Sequence, residues 1–405
     1  MAVGEDCFPI MHPVPGFRLG TASAGIKKPG REDLVLMAIA PGGRAAGVFT
    51  QNAFCAAPVQ LAKAHLAGTA TRYLVTNTGN ANAGTGKSGR INAARVCEKV
   101  AELGDVEPTA VLPFSTGVIG EPLPVEKILA ALPYAIDALS EDGWTSAAKS
   151  ILTTDTRPKG ASVQLTLAGQ SITITGIAKG AGMIKPNMAT MLAYVATDAQ
   201  ISATRLQTLV STAAECSFNR ITVDGDTSTN DAAMLVATGA SNLDIDRLSA
   251  EEQTRFELAV IEVFISLAQQ VIRDGEGATK FVTVRVTGGG DSAECLAVAY
   301  TVAESPLVKT ALFASDPNWG RILAAIGRAG IADLNVDAIQ VYLDDVLIAE
   351  DGGRAASYTE QLGQSVMSQE EITIEIRLNR GEARETVWTT DFSHEYVTIN
   401  AEYRT

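Results

Sequence analysis

Lys179-Gly-Ala-Gly-Met-Ile-Lys-Pro-Asn-Met-Ala-Thr190-Met-Leu-Ala-Tyr194 is the stretch on which the rest of the 405-residue chain turns. It is too rich in glycine for a helix interior and too apolar for a solvated loop. Flexible points at Gly176, Gly180 and Gly182 precede a rigid one at Pro186, and residues 191–195 read as a buried strand. A small residue followed by threonine at a strand entrance suits an ordinary glycine-rich turn, but it also has a chemical use. Cutting the bond before Thr190 would create a chain that begins with threonine, its hydroxyl a nucleophile and its own α-amine the base. A hydroxyl needs such a base within hydrogen-bond reach. An α-amine, with an ordinary pKa of about 7.7–8.0, titrates near working pH, whereas a lysine amine lies at about 10.4.

Composition narrows the classes that this chemistry must fit. Hydrophobic residues make up 46% of the chain and charged residues 19%, which suits a globular enzyme and excludes a disordered chain. The length is enough for a large core and predicts two lobes. A formal charge of -14 argues against nucleic acid and against anionic membrane surfaces, although a local lysine or arginine can still hold a small anion. Cys7, Cys55, Cys97, Cys216 and Cys295 are widely spaced, without a Cys-x-x-Cys, so neither a disulfide framework nor a metal site is expected. His12, His65 and His394 are equally scattered and give a Ser-His-Asp site no local support. The first residues carry no basic region followed by an apolar run, and no apolar run approaches the roughly 18 residues of a membrane span. A cytoplasmic location, away from any membrane, is the expectation.

The pattern Lys-Gly-x-Gly-Met-Ile-x-Pro-x-Met-Ala-Thr-Met-Leu in residues 179–192 resembles the self-cleavage signature of the ornithine acetyltransferases, also called bifunctional glutamate N-acetyltransferases, and the resemblance runs nearly end to end. It implies an α/β (α+β) layered sandwich with a smaller second α/β lobe, and an N-terminal threonine nucleophile freed by autocleavage between Ala189 and Thr190. The fragments would be 1–189 and 190–405, associated as an α2β2 heterotetramer. It further implies a ping-pong transfer of acetyl from N2-acetylornithine to glutamate, through an acetyl-threonine, in arginine biosynthesis. No cofactor is needed; in bifunctional members acetyl-CoA is also a donor. Other readings stay open: an enzyme without acetyl-CoA activity, an N-terminal-nucleophile amidohydrolase or aminopeptidase, or an uncut binding protein.

Taken in order, the chain supplies further candidates. Residues 46–49 and 73–75 read as strands and 58–65 as a helix. The Asn/Gly-rich run 75–86 then leads into a helix over 88–103. It is either a strand-to-helix loop of residues that tolerate left-handed backbone or an anion-holding nest. Gly84-Thr-Gly-Lys-Ser-Gly89 matches Gly-x-Gly-x-x-Gly, but not directly after the strand, and Ala81 stands where a P-loop needs glycine, so both nucleotide signals are weak. Residues 110–114 form a strand delivering Ser115-Thr116-Gly117, a turn that can aim a hydroxyl and a backbone N–H at one point. The resemblance makes Thr116 and Gly117 the oxyanion hole. Residues 124–150 look helical, and the threonine cluster 151–156 contains Thr153, which the resemblance makes a substrate contact beside Thr154.

Residues 162–167 and 171–175 alternate with period two about Ala-Gly-Gln and predict a hairpin holding the front of the cleavage stretch. Lys179 opens that stretch between glycine and apolar neighbours, where it could hold a substrate carboxylate; the resemblance assigns it, like Thr190 itself, to substrate binding. A helix follows over 202–216. The polar run 218–231 contains Asp-Gly-Asp-x-Ser-x-Asn, which glances at a calcium loop but lacks its closing glutamate, and residues 221–223 read as a strand. Ser249-Ala-Glu-Glu252 is a capping box opening a long helix that ends at Arg273-Asp-Gly275. Glu276 sits between Gly275 and Gly277; by resemblance it binds substrate, through the ornithine side-chain ammonium. Gly288-Gly-Gly290 is the candidate boundary between a main lobe, 1–287, and a smaller one, 288–405. Beyond it, 315–321 leads a helix to Arg328, with Trp319 and Arg321 either lining the cleft or, the favoured reading, fixing that loop, and strands are expected at 339–348, 372–378 and 383–388. Apolar alternation over 396–405 implies a tethered end, in which Asn400 and Thr405 match the family's substrate contacts.

Overall fold

The computed structural model describes residues 2–5, 7–27, 30–185 and 191–402. Ala189, Thr190 and Thr405 therefore lie outside the described residues. Among those described, the strands form three sheets. In the first, Phe17–Ala22, Leu34–Ile39, Tyr73–Asn80 and Val111–Val118 lie side by side. In the second, the order is Arg44–Phe49, Ala232–Ala237, Leu192–Thr197, Gln170–Lys179 and Lys159–Leu167.

These two sheets pack face to face, and the period of two decides which way each side chain points. Val35, Met37 and Ile39 enter a core shared with Leu192, Tyr194, Ala196, Met234 and Val236 of the second sheet. Their alternates Leu34, Leu36 and Ala38 face helices Gly86–Gly104 and Val125–Asp137. On the far side, Ala193, Val195, Ala233 and Leu235 meet helices Ala203–Cys216 and Ala250–Arg273. The result is a helix–sheet–sheet–helix sandwich. Its central strands are buried on both faces, so they read as continuous apolar runs and not as alternating ones. The capping box forms: Ser249 Oγ accepts from the Glu252 N–H at 3.3 Å and donates to Glu252 Oε2 at 2.9 Å. The expected hairpin is Lys159–Leu167 with Gln170–Lys179, and it turns on Ala168 and Gly169, both at positive φ as a tight two-residue turn requires.

The third sheet is a separate layer with its own core. Val282, Val284 and Val286 of strand Phe281–Gly289 pack with Ile374 and Ile376 of Glu371–Arg377 and with Val298 and Val302 of helix Ser292–Ala303. A division between 287 and 288 thus falls inside a strand: the C-terminal layer already claims the chain from Phe281, and Gly288 sits at positive φ in the bulge between Thr287 and Gly289. The edge strand Ile221–Thr222, one residue shorter than expected, pairs in parallel with Ala383–Thr390 and joins this layer to the sandwich.

Other boundaries also move. The strand expected over 73–75 continues to Asn80, because Asn77, Thr78 and Asn80 are buried and partnered in the ladder with Val111–Val118. The helical region 124–150 is two helices, Val125–Asp137 and Trp144–Ser150. The end of the chain is not an alternating strand: His394–Ala401 is a helix without a buried residue, and Val397 is exposed.

Candidate active site

Two parallel strands of the first sheet end side by side and form one wall. Gly117 has φ +135°, and a Cβ there would lie 2.3 Å from the carbonyl carbon of Gly79 and 2.5 Å from the amide nitrogen of Asn80. Only glycine lets the strand ends approach this closely. Asn230 ties the polar run to this wall: its Nδ2 donates to the carbonyls of Ala81 (2.6 Å) and Ser115 (2.9 Å).

The second sheet provides the opposite wall. Lys179 is the last residue of strand Gln170–Lys179 and not the first of a loop, which is why its side chain is buried. Its ammonium donates to Thr153 Oγ1 at 2.7 Å and stands 3.7 Å from Asp155 Oδ2. Burial pulls the Lys179 amine down, and Asp155 opposes that pull. Glu276 follows the long helix; its N–H donates to the carbonyl of Ala181, and its carboxylate lies against Gly182, where a Cβ would come within 2.3 Å of Oε2. Asn400 reaches back from the C-terminal helix and donates to Glu276 Oε2 at 2.8 Å. The chain end is thus tied at this point by polar bonds: Ser393 Oγ also donates to the carbonyl of Gly277 at 2.6 Å.

Thr116, Gly117, Thr153, Lys179, Glu276 and Asn400 all line one cavity of about 200 Å³, together with Thr154, Gly182 and Asn230. A second cavity of about 280 Å³ shares Gly117, Val118, Thr153 and Thr154 with it and extends to Arg31 and Ile399. Six of the residues singled out from the sequence are therefore brought together. Ala189, Thr190 and Thr405, which complete that set, lie outside the described residues.

The polar run 218–231 acts as a two-ended clamp on the cleavage stretch. Asp224 accepts from the N–H groups of Met183 (2.6 Å) and Ile184 (2.9 Å) before residues 186–190, and Asp231 accepts from the N–H of Met191 (3.0 Å) immediately after them. Burial pushes both carboxyls up, Asp231 well above the ordinary carboxylate range. Asp231 Oδ2 is buried without a hydrogen-bond partner among the described residues.

Sequence reasoning passed over a buried ionic row under the cavity floor. Lys159 is 2.7 Å from Asp155 Oδ1 and 2.6 Å from Asp274 Oδ2, with all three side chains inaccessible to solvent. Charged residues at these positions ordinarily read as surface. The available signal was that Asp155 and Asp274 flank segments already suspected, the threonine cluster and Gly275-Glu276.

Two other motifs lie outside these two cavities. Gly84 and Gly86 sit at positive φ at the start of helix Gly86–Gly104, and a Cβ on Gly89 would lie 1.9 Å from Thr85 Oγ1. Trp319 and Arg321 are not among the residues lining either cavity; Arg321 donates to the carbonyl of Leu307 at 2.8 Å and fixes the loop. Among the described residues no cluster of three or more His, Cys, Asp or Glu could hold a metal ion, and no helix is long and apolar enough to cross a membrane.

Comparison with known proteins gives a consistent result. Residues 18–405 match the model of the ArgJ family. The arginine biosynthesis bifunctional protein ArgJ of Pseudomonas syringae pv. tomato is 62% identical over 408 residues, covering 100% of both chains. Its namesake in Pseudomonas fluorescens is 63% identical over 406 residues, again covering 100% of both. A crystal structure of arginine biosynthesis bifunctional protein argJ from Bacillus halodurans is 36% identical, with a TM-score of 0.47, over 50% of this chain and 95% of that one.

Proposed function

The chain belongs to the ArgJ family, and from that membership we propose that it transfers acetyl from N2-acetylornithine to glutamate, giving ornithine and N-acetylglutamate, in the cyclic route of arginine biosynthesis. The observation that carries the reading is the convergence of Thr116, Gly117, Lys179, Glu276 and Asn400 on one cavity, with Asp224 and Asp231 holding both flanks of the bond to be cut.

In this reading the chain first cuts itself between Ala189 and Thr190. The freed threonine then acts alone as nucleophile and base. Its Oγ attacks the acetyl carbonyl carbon while its α-amine takes the hydroxyl proton. Thr116 and the Gly117 N–H stabilise the negative oxygen of the tetrahedral intermediate. The C–N bond breaks, the proton passes to the departing amine, and ornithine leaves an acetyl ester on Thr190. Glutamate enters, its amine attacks the ester, and the Thr190 hydroxyl is restored. Lys179 holds the substrate α-carboxylate, with Thr153 beside it. Glu276 pairs with the side-chain ammonium of ornithine, supported by Asn400 and, at the chain end, Thr405.

No cofactor enters this cycle. Acetyl-CoA serves as a second donor to the same threonine, a role supported by the word bifunctional in the names of the relatives and by the cavity adjoining the oxyanion wall. The two fragments stay together, as an α2β2 assembly in the cytoplasm. The test is Thr190→Ala: the variant stays a single chain on a denaturing gel and forms no N-acetylglutamate from N-acetylornithine and glutamate. A Thr190→Ala protein that is still cut and still active overturns the assignment.

A further inference from the structure

Under the cavity floor, four charged side chains of alternating sign stand in a row: Asp274, Lys159, Asp155 and Lys179. The successive contacts are 2.6, 2.7 and 3.7 Å. All are buried. Hydrogen bonds fix each carboxylate from another side. Asp155 accepts from the N–H of Gly180 (2.6 Å) and of Thr153 (3.0 Å); Asp274 accepts from the N–H of Thr156 (3.0 Å) and from its hydroxyl.

The two ends of the row are what give it meaning. One end is Lys179, which lines the cavity. The other is Asp274, two residues before Glu276, which lines the same cavity. The row therefore joins the cation and the anion that face the substrate through a path of buried charges. Removing Asp155 or Lys159 from the middle leaves an end group charged, buried and without its contact in the row, so the path resists being stretched or bent.

We propose that Asp155 and Lys159 are positioning residues that fix the spacing between the Lys179 ammonium and the Glu276 carboxylate, and so set the chain length of the diamino acid that fits. This rests on the reading of Lys179 and Glu276 given above. A substrate whose carboxylate and ammonium must meet two fixed partners is measured by the distance between them. One added methylene, as in N2-acetyllysine, then breaks one of the two contacts, which in a shaped site is worth roughly 10–200-fold in kcat/KM.

Electrostatics agrees with the geometry. Burial alone would raise the Asp155 carboxyl, but Lys159, Lys179 and the hydrogen bonds overrule it and hold it well below the ordinary carboxylate range. The charged groups that face Lys179 are Asp155, Lys159, Glu276 and Asp231. Neutralising Asp155 takes away the largest influence that keeps the Lys179 amine protonated.

The test compares N2-acetylornithine with N2-acetyllysine as donors to glutamate in the whole enzyme. Asp155→Asn is expected to raise KM for acetylornithine about tenfold or more, with a smaller change in kcat, and to bring the preference for ornithine over lysine down towards unity. It is also expected to move the alkaline limb of kcat/KM to lower pH, a shift that a merely structural role would not give. If Asp155→Asn does not fold, the balanced double variant Lys159→Met/Asp274→Asn keeps Asp155 on Lys179. It should lose chain-length preference while its alkaline limb does not move to lower pH, because Lys159 itself pushes the Lys179 amine down. Unchanged preference in a folded variant overturns the inference and leaves the transferase reading intact. Failure of the wild type to transfer acetyl from acetylornithine overturns both.

Discussion

Lys159 and Lys309 are buried to the same degree, 1% and 0% exposed, but in different regions. Lys159 lies beneath the cavity with a carboxylate on either side. Lys309 lies in the C-terminal layer, where its ammonium donates to Thr389 Oγ1 and the Thr390 carbonyl and rests 4.6 Å above the Phe392 ring. Among the described residues it forms no ion pair. Burial pushes its amine down to about 7, with only partial compensation from Asp391, Asp224 and Glu304. At equal burial the two lysines differ in what touches them: two carboxylates in one case, and a hydroxyl, a carbonyl and an aromatic ring in the other. Beneath the site the ammonium sits in a row between two carboxylates. In the outer layer a lysine serves as a hydrogen-bond donor that gives up its proton easily.

The sharpest way to break this contrast is to take one of its two carboxylates from the paired lysine. Asp274→Ala strips Lys159 of one carboxylate and leaves the Thr156 N–H without an acceptor. In the uncut Thr190→Ala background, chemical denaturation should show a loss of about 3–5 kcal/mol. A loss below about 1 kcal/mol would mean that the row is not a coupled unit.

A second, smaller effect concerns Lys309 and pH. Below about pH 7 both the folded and the unfolded states carry its proton, and the cost of burying the charge is present in full. Between about 7 and the ordinary lysine value near 10.5, the unfolded state holds a proton that the folded state lacks, so stability rises with pH across that window. Wild type should therefore gain stability relative to Lys309→Met between pH 7 and pH 9.5, as read from denaturation curves at each pH. A constant difference would remove the distinction between the two lysines.

The smallest effect supplies the reference. Arg205 and Glu257 make a 2.7 Å ion pair, as short as those beneath the site, but their side chains are 24% and 38% exposed. Glu257→Gln should cost less than about 1 kcal/mol, and less again in high salt. A larger loss would show that contact distance matters more than solvent access.

What the sequence made legible follows the same line. Strands such as Leu192–Thr197 are apolar on both faces, so they announce a doubly covered sheet directly. Glycines at 117 and 182 stood out because their motifs did, and the structure gives the reason: backbone meets backbone at one, and a carboxylate fills the missing side chain of the other. The buried row was not legible. Hydrophobic periodicity registers apolar side chains, and an Asp or Lys with a buried partner has the same letter as a solvated one. The lobe boundary differs for another reason: three glycines suggested a boundary where the first two end a strand through a bulge, because a bulge and a linker share the same residue preference.

The expected cut falls between two paired strands of the second sheet. Gln170–Lys179 and Leu192–Thr197 lie on opposite sides of it in sequence, yet they are adjacent antiparallel neighbours bonded along their length. Nicking the chain there severs one covalent link and leaves the ladder whole, so neither piece owns the whole of the second sheet. Once nicked, unfolding is also a dissociation. The ripened enzyme's melting point should climb as it is concentrated, whereas that of its uncut parent has no such reason to move.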